Sequence, residues 1–297
     1  MSDINIKPHT LVLGSSGFLG GYLRETINNA ITHTAHGDSK DFDIALKLNN
    51  ASDLDYLFKN VFFDSVINSI ALTDIDKCEK EKDLAKWLNS DLPRLIASYC
   101  RNQSSRLIHI STDAVFDGEK SLREEFDLTK PKSYYGLTKL IGEKNVLEDF
   151  PEAQVLRVNF FGRSSKNNIF DFFYNAGRQN LTVRGFNNLF FTPLYVGELA
   201  SIIKKMLFMN AFGVFHVVGS ERISKYDFGK LIFEEFKFNV SNIIPTNLEN
   251  SPDFKLELRN RDLSLSNNKI KSMGFKIPTL KHSIHQIARE MRDSDQK

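Results

Sequence analysis

A chain of 297 residues with 41% hydrophobic and 26% charged side chains has the balance of a soluble globular protein and can bury a sizeable core. A formal charge of +2, with Lys and Arg spread along the chain, excludes an electrostatic case for nucleic acid or an anionic membrane as partner. No run approaches the ~20 apolar residues of a membrane span, the start lacks a signal-peptide core, and Cys78 and Cys100 stand too far apart for a metal or redox motif, so a reduced cytoplasmic protein is expected.

Thr10–Leu13 reads as a short apolar strand, followed at once by Gly14-Ser15-Ser16-Gly17-Phe18-Leu19-Gly20. Residues 21–29 carry Tyr22, Leu23 and Ile27 at helical spacing. Glycines in such a strand-to-helix turn permit a tight bend, close approach of backbone to a pyrophosphate and close packing of helix on strand. Helix N-terminal amides would hold the anionic diphosphate. The Gly-x-x-Gly-x-x-Gly pattern is weak alone and gains weight from this context. Further strands are expected at 31–36, 43–46, 65–70, 106–112, 153–161 and 213–219, with helices at 53–60, 81–101, 134–148 and 193–209. Alternation of this kind predicts βαβ units in a doubly wound parallel sheet of Rossmann type, with ligands beyond the carboxyl ends of the strands. Residues 224–236 and 279–292 read as helices, and 239–261 as irregular and polar. The expected division is a dinucleotide-binding domain of residues 1–161 plus 189–219 and a smaller α/β substrate lobe of residues 162–188 plus 220–297.

Chemistry concentrates in Ser111-Thr112-Asp113-Ala114-Val115-Phe116-Asp117-Gly118 and in Tyr135-Gly136-Leu137-Thr138-Lys139. Thr112 ends an apolar strand, and Tyr135 and Lys139 share a helix face at i, i+4. A cation beside a phenol favours the phenolate, so its proton can be transferred. With a second hydroxyl in reach, such a pair can protonate or deprotonate a carbinol oxygen, as hydride transfer to a ketone requires. Asp113 is open between touching substrate and capping the turn after the strand. The seven His are scattered, His109 reads as a packed core residue, and no metal is expected.

These pieces, together with Asn68-Ser69-Ile70-Ala71-Leu72-Thr73-Asp74, Asn89, Arg157 and Arg259-Asn260-Arg261-Asp262-Leu263-Ser264-Leu265, resemble the extended short-chain dehydrogenase/reductases. Within that superfamily the chain is most similar to the dTDP-4-dehydrorhamnose reductase group, the RmlD-like sugar-nucleotide reductases. The resemblance implies an NAD(P)H-dependent reduction of a nucleotide-linked 4-keto-6-deoxysugar for a surface polysaccharide such as O-antigen. Thr112, Tyr135 and Lys139 would be the catalytic residues, with Tyr135 the proton donor. Gly14, Gly17, Phe18, Leu19, Gly20, Ala71, Leu72 and Thr73, with Tyr135 and Lys139, would bind the cofactor. Thr112, Asp113 and Phe160 would contact the sugar. A homodimer is a further expectation. The chain departs from the family at 36–40, where His36 and Lys40 favour the 2′-phosphate of NADP(H) while Asp38 leaves NAD(H) open. It departs again at 185–193, and at Asn260, which stands where the family has Pro. A nucleotide-sugar epimerase and a non-catalytic regulatory subunit of the methionine adenosyltransferase beta type are the alternatives.

Overall fold

Strand β1 (Thr10–Leu13) is buried at all four positions, as befits a strand covered on both faces. The chain then turns at Gly14, whose φ of +83° lies in the left-handed region open to glycine, and enters α1 (Phe18–Thr26). The computed structural model describes residues 9–35, 41–59, 61–164, 168–250 and 260–294. Continuing along it are β2 (Ile31–Thr34), β3 (Ile44–Ala45), α2 (Ala51–Phe58), β4 (Ser65–Asn68), α3 (Ile75–Lys80), α4 (Lys82–Lys86), α5 (Leu92–Gln103) and β5 (Arg106–Thr112). After a long connection come α6 (Tyr134–Asp149), β6 (Gln154–Val158), β7 (Phe160–Phe161), α7 (Ile169–Arg178) and β8 (Val183–Phe186). The last elements are β9 (Phe190–Phe191), β10 (Leu194–Tyr195), α8 (Val196–Met206), β11 (Gly213–Val217), β12 (Ile223–Ser224), α9 (Lys225–Glu235), β13 (Ile243–Thr246), α10 (Asn268–Ser272) and α11 (Leu280–Ser294).

Seven strands form one sheet in the order β11-β6-β5-β4-β1-β2-β3. Winding outward in both directions from β1 is the doubly wound order expected from the sequence. Leu11 is paired with Val66 of β4 and with Ile31 of β2, and Val66 with Leu107 of β5, all in parallel. The chain packs as two units: residues 1–111, 138–156 and 200–214 in the first, and 112–137, 157–199 and 215–297 in the second. This packing division places 112–137, 157–161, 189–199 and 215–219, expected from the sequence with the dinucleotide-binding domain, in the second unit.

In the first unit Leu11, Leu13, Val66 and Leu107 of the sheet are buried with Leu54, Leu57 and Phe58 of α2, Ile96 and Cys100 of α5, and Val146 of α6. Each such side chain is worth roughly 1.5–3 kcal/mol of burial. In the second unit Phe161, Phe170, Phe173, Phe191, Phe228 and Phe233 are core, whereas Phe126 and Phe172 are exposed. Phe228 meets Phe161 at 5.0 Å and Phe191 at 5.4 Å, edge to face in both cases.

Local pattern misplaced several boundaries. The helix expected at 81–101 is broken by a π-helical turn, Trp87–Asp91. The strand expected at 153–161 is cut at Asn159, so that β7 leaves the large sheet and pairs with β10. The region read as irregular contains β13, which pairs in parallel with β8. Two-residue strands and π turns exist only through their partners, so sequence periodicity carries no trace of them.

Candidate active site

The glycine turn belongs to the first unit. Ser15 donates from its backbone to His33 O at 2.8 Å and from its hydroxyl to Val12 O at 2.7 Å, and Gly17 donates to Gly14 O at 2.9 Å. Helix α1 starts without a side-chain cap and without an acid in its first turn. A helix start of this kind is suited to an anion. A Cβ built on Gly20 would sit 2.1 Å from Gly14 O, whereas one on Gly21 meets nothing within 4 Å. This is the cradle a dinucleotide pyrophosphate requires, and its close approaches fit that group. Gly14 itself has turned its N–H toward His33 Nδ1 at 3.4 Å, while His33 Nε2 lies 2.8 Å from Leu46 O. Burial lowers the His33 pKa, which keeps the ring neutral and able to accept. Gly14 thus serves the turn through its backbone conformation. Gly20→Ala is expected to cost about 1–3 kcal/mol, because backbone must move to admit the methyl, while Gly21→Ala adds up to ~1 kcal/mol of stability in the same helix. Chemical denaturation of the two variants checks this contrast.

Leu72, in the 71–73 segment expected at the adenosine side, is fixed by Asn89. Its N–H donates to Asn89 Oδ1 at 2.9 Å, and its carbonyl accepts from Asn89 Nδ2 at 3.0 Å. Nδ2 also reaches Thr138 Oγ1 at 3.1 Å, and Ser90 Oγ donates to Thr138 O at 2.8 Å. Asn89 and Ser90 are both fully buried. They sit in the π turn, whose extra residue per turn re-aims side chains that a regular helix would point elsewhere. A Cβ on Gly142 would meet Asn89 O at 2.1 Å, so α6 lies directly against this turn. Asn89 was visible in the sequence only as part of a resemblance; the packing gives it this bridging role.

Lys139 is 1% exposed and donates from Nζ to Ile110 O at 2.6 Å. Burial brings its ammonium down to about 8, with the charge of Glu143 acting against that fall. Glu143, one helical turn beyond Lys139, is buried and accepts from Ser111 Oγ at 2.5 Å. Nothing in the sequence marked Glu143 except its continuation of the Tyr135, Lys139 spacing. His109 is fully buried beside Asn68, 3.2 Å from Nδ2 to Nδ1, and burial together with the Lys139 charge keeps its pKa well below the ordinary value. It is a neutral core residue.

Thr112, Asp113, Tyr135 and Phe160 lie in the second unit. Thr112, not Asp113, caps the turn after β5, its Oγ1 accepting from Ala114 N at 3.2 Å. Asp113 is 5% exposed, accepts from the Thr112 hydroxyl at 3.1 Å and from Asn159 Nδ2, and is pushed up to about 6 by burial, against those hydrogen bonds and the charge of Lys225. The start of α6 packs on this turn. A Cβ on Gly136 would lie 2.3 Å from Ala114 O, so only a glycine lets the residue after Tyr135 come this close. Tyr135 and Phe160 are half-buried. Helix α6 then carries Lys139 one turn beyond Tyr135.

A separate cavity of about 810 Å³ in the second unit is lined by Gly118, Glu119, Lys132, Phe190, Arg222, Arg261 and Asp262, among others. Its cations are paired: Arg222 with Asp262 at 2.7 Å, Arg261 with Glu249 at 2.7 Å and Lys132 with Glu119 at 3.9 Å. The wall is charge-balanced, and Arg222 also lies 3.6 Å over the Phe190 ring. Asn260, the departure from a family Pro, donates to Phe116 O at 3.1 Å, a tether that proline cannot make. The residues expected to choose between NADP(H) and NAD(H), 36–40, and Arg259 lie outside the described residues.

The sequence profile of the family described as "RmlD substrate binding domain" matches residues 8–293. The chain is 31% identical over 238 residues to a Haloferax volcanii protein named probable low-salt glycan biosynthesis reductase Agl14, covering 76% of this chain and 79% of that one. It is 26% identical over 234 residues to a dTDP-4-dehydrorhamnose reductase of Salmonella typhimurium, covering 76% and 77%. It shares its fold, at a TM-score of 0.82 and 24% identity, with the dTDP-4-dehydrorhamnose reductase of Bacillus anthracis solved in complex with NADP, over 96% of this chain and 99% of that one.

Proposed function

The chain belongs to the RmlD substrate binding domain family, and on that premise we propose that it is an NAD(P)H-dependent reductase of a nucleotide-linked 4-keto-6-deoxysugar. One observation carries the reading furthest: Gly136 seats the start of α6, the segment that bears Tyr135, on the turn capped by Thr112, and the same helix carries the buried Lys139 one turn further along. When bound, the reduced nicotinamide dinucleotide supplies the hydride. Gly17, Phe18, Leu19 and Gly20 at the uncapped start of α1, with Gly14 shaping the turn, would hold its pyrophosphate. Ala71, Leu72 and Thr73 would face its adenosine and ribose. NADP(H) is the favoured form, as in the Bacillus anthracis structure, and NAD(H) the alternative.

Tyr135 gives its proton to the carbon-4 oxygen of the sugar. A phenol ordinarily titrates near ~10, so at neutral pH the donor form is the resting one. Lys139, at about 8, is still mainly cationic at neutral pH, and its charge favours the phenolate that proton transfer leaves behind. Thr112 hydrogen-bonds the same oxygen and steadies the developing alkoxide. Asp113 and Phe160 line the sugar. The product would be an activated deoxysugar for a surface glycan made in the cytoplasm, and the working form a homodimer.

The test mixes purified protein with NADPH or NADH and a panel of nucleotide-linked 4-keto-6-deoxysugars, and follows absorbance of the reduced nicotinamide. Oxidation with at least one sugar, faster with NADPH, is the expected result. Absence of oxidation with every sugar, with NADPH still raising the melting temperature, would replace this reading by the regulatory-subunit one.

A further inference from the structure

The hydroxyl of Thr112 has one proton, and that proton faces a carboxylate. Thr112 Oγ1 lies 3.1 Å from Asp113 Oδ1 and is itself the acceptor for Ala114 N–H. An ionised carboxylate can only accept, so the hydroxyl is the donor and its single proton is engaged with Asp113. The second carboxylate oxygen accepts from Asn159 Nδ2, the side chain is 5% exposed, and the charged group that acts on it is Lys225 at the start of α9. Its two side-chain hydrogen-bond partners, Thr112 and Asn159, are neutral, and burial outweighs the charge of the half-buried Lys225.

We propose that Asp113 is a positioning residue that acts through Thr112, its protonation deciding whether the Thr112 hydroxyl donates back to Asp113 or forward to the sugar oxygen. The step takes up one proton from solvent and changes nothing else. The neutral acid carries its own O–H, which donates to Thr112 Oγ1, and the threonine proton is then released outward. In the carboxylate form the Thr112–Asp113 hydrogen bond must break before the hydroxyl can serve the substrate. Burial places this exchange at about 6, well separated from Lys139 at about 8.

The kinetic arm of the test rests on the reductase reading; the spectroscopic arm does not. In the kinetic arm, kcat/KM is measured from pH 5 to 8 for wild type, Asp113→Asn, Thr112→Val and the double variant. Wild type should lose activity several-fold as pH rises through about 6, within the ~10²-fold that one such donor is worth. Asp113→Asn should flatten that limb, since an amide donates to Oγ1 at every pH. Thr112→Val should also abolish it, and the double variant should match Thr112→Val alone. A limb that survives either single change, or losses that multiply in the double variant, overturns the proposal. In the spectroscopic arm, the protonated-carboxyl stretch of Asp113 is followed by infrared difference against Asp113→Asn. Thr112→Val should raise its titration by about one pH unit, tenfold in proton affinity, because it removes the bond from both forms and the charge-assisted bond to the carboxylate is the stronger. No shift overturns the proposal even if turnover is normal. A shift without turnover of any sugar counts against the reductase reading instead.

Discussion

Tyr135→Phe is expected to lower kcat by ~10²–10⁴-fold, the usual worth of a positioned proton donor, while leaving the affinity for reduced nicotinamide cofactor within about threefold of wild type. The ring and its packing stay, and only the hydroxyl goes. An interaction made in the transition state alone lowers kcat and kcat/KM together, whereas damage to cofactor binding raises KM. Steady-state kinetics with fluorescence titration of NADPH separate the two. Tyr135 is half-buried at the start of a helix, and denaturant unfolding of the variant reports any cost to the fold separately. Activity retained within tenfold would remove Tyr135 from the proton-transfer role and leave water or another group to fill it.

Lys139→Met should lower turnover by at least ~10²-fold and should also change how stability depends on pH. Lys139 is 1% exposed, and burial brings its pKa from 10.5 to about 8, against the pull of Glu143. A base with a depressed folded pKa binds its proton less well in the native state than in the unfolded chain. Between about 8 and 10.5 the unfolded state therefore holds more protons, and stability rises with pH. Below about 8 the whole penalty, ~3 kcal/mol, weighs on the fold. The buried thiols act in the opposite sense, because burial raises Cys78 to about 11 and lifts Cys100 as well. Their contribution declines as alkali ionises the unfolded chain first. The difference between wild type and Lys139→Met cancels both thiols. Measured by denaturant unfolding, wild type should gain roughly 2–3 kcal/mol on the variant between pH 7.5 and 10.5. A flat difference would mean that Lys139 is not held as a desolvated ammonium.

Much of this site was legible because its signals are short-range. A strand, three glycines and a helix follow one another within Thr10–Thr26, and φ sterics together with helical periodicity suffice to read them. Tyr135 and Lys139 are neighbours on any helix, whatever surrounds it. Asn89, Glu143 and Asn159 were legible only as residues, without roles. Their partners stand far off in sequence: Thr138 for Asn89, Ser111 for Glu143 and Asp113 for Asn159. Of the two roles open to Asp113, the capping bond is taken by Thr112, whose hydroxyl also donates to the Asp113 carboxylate.

The chain order alone thus determined the doubly wound sheet, the position of the glycine turn at the end of β1, the placement of Thr112 at the end of β5 and the spacing of phenol and ammonium on α6. These follow from local backbone sterics and from the direction in which βαβ units wind. Packing alone decided the acidity of Lys139 and Asp113, the direction of the Thr112 proton, the break of a long helix at Trp87–Asp91 and the pairing of the two-residue strands. Each of these depends on desolvation or on a partner distant in the chain, and neither exists until the chain has folded.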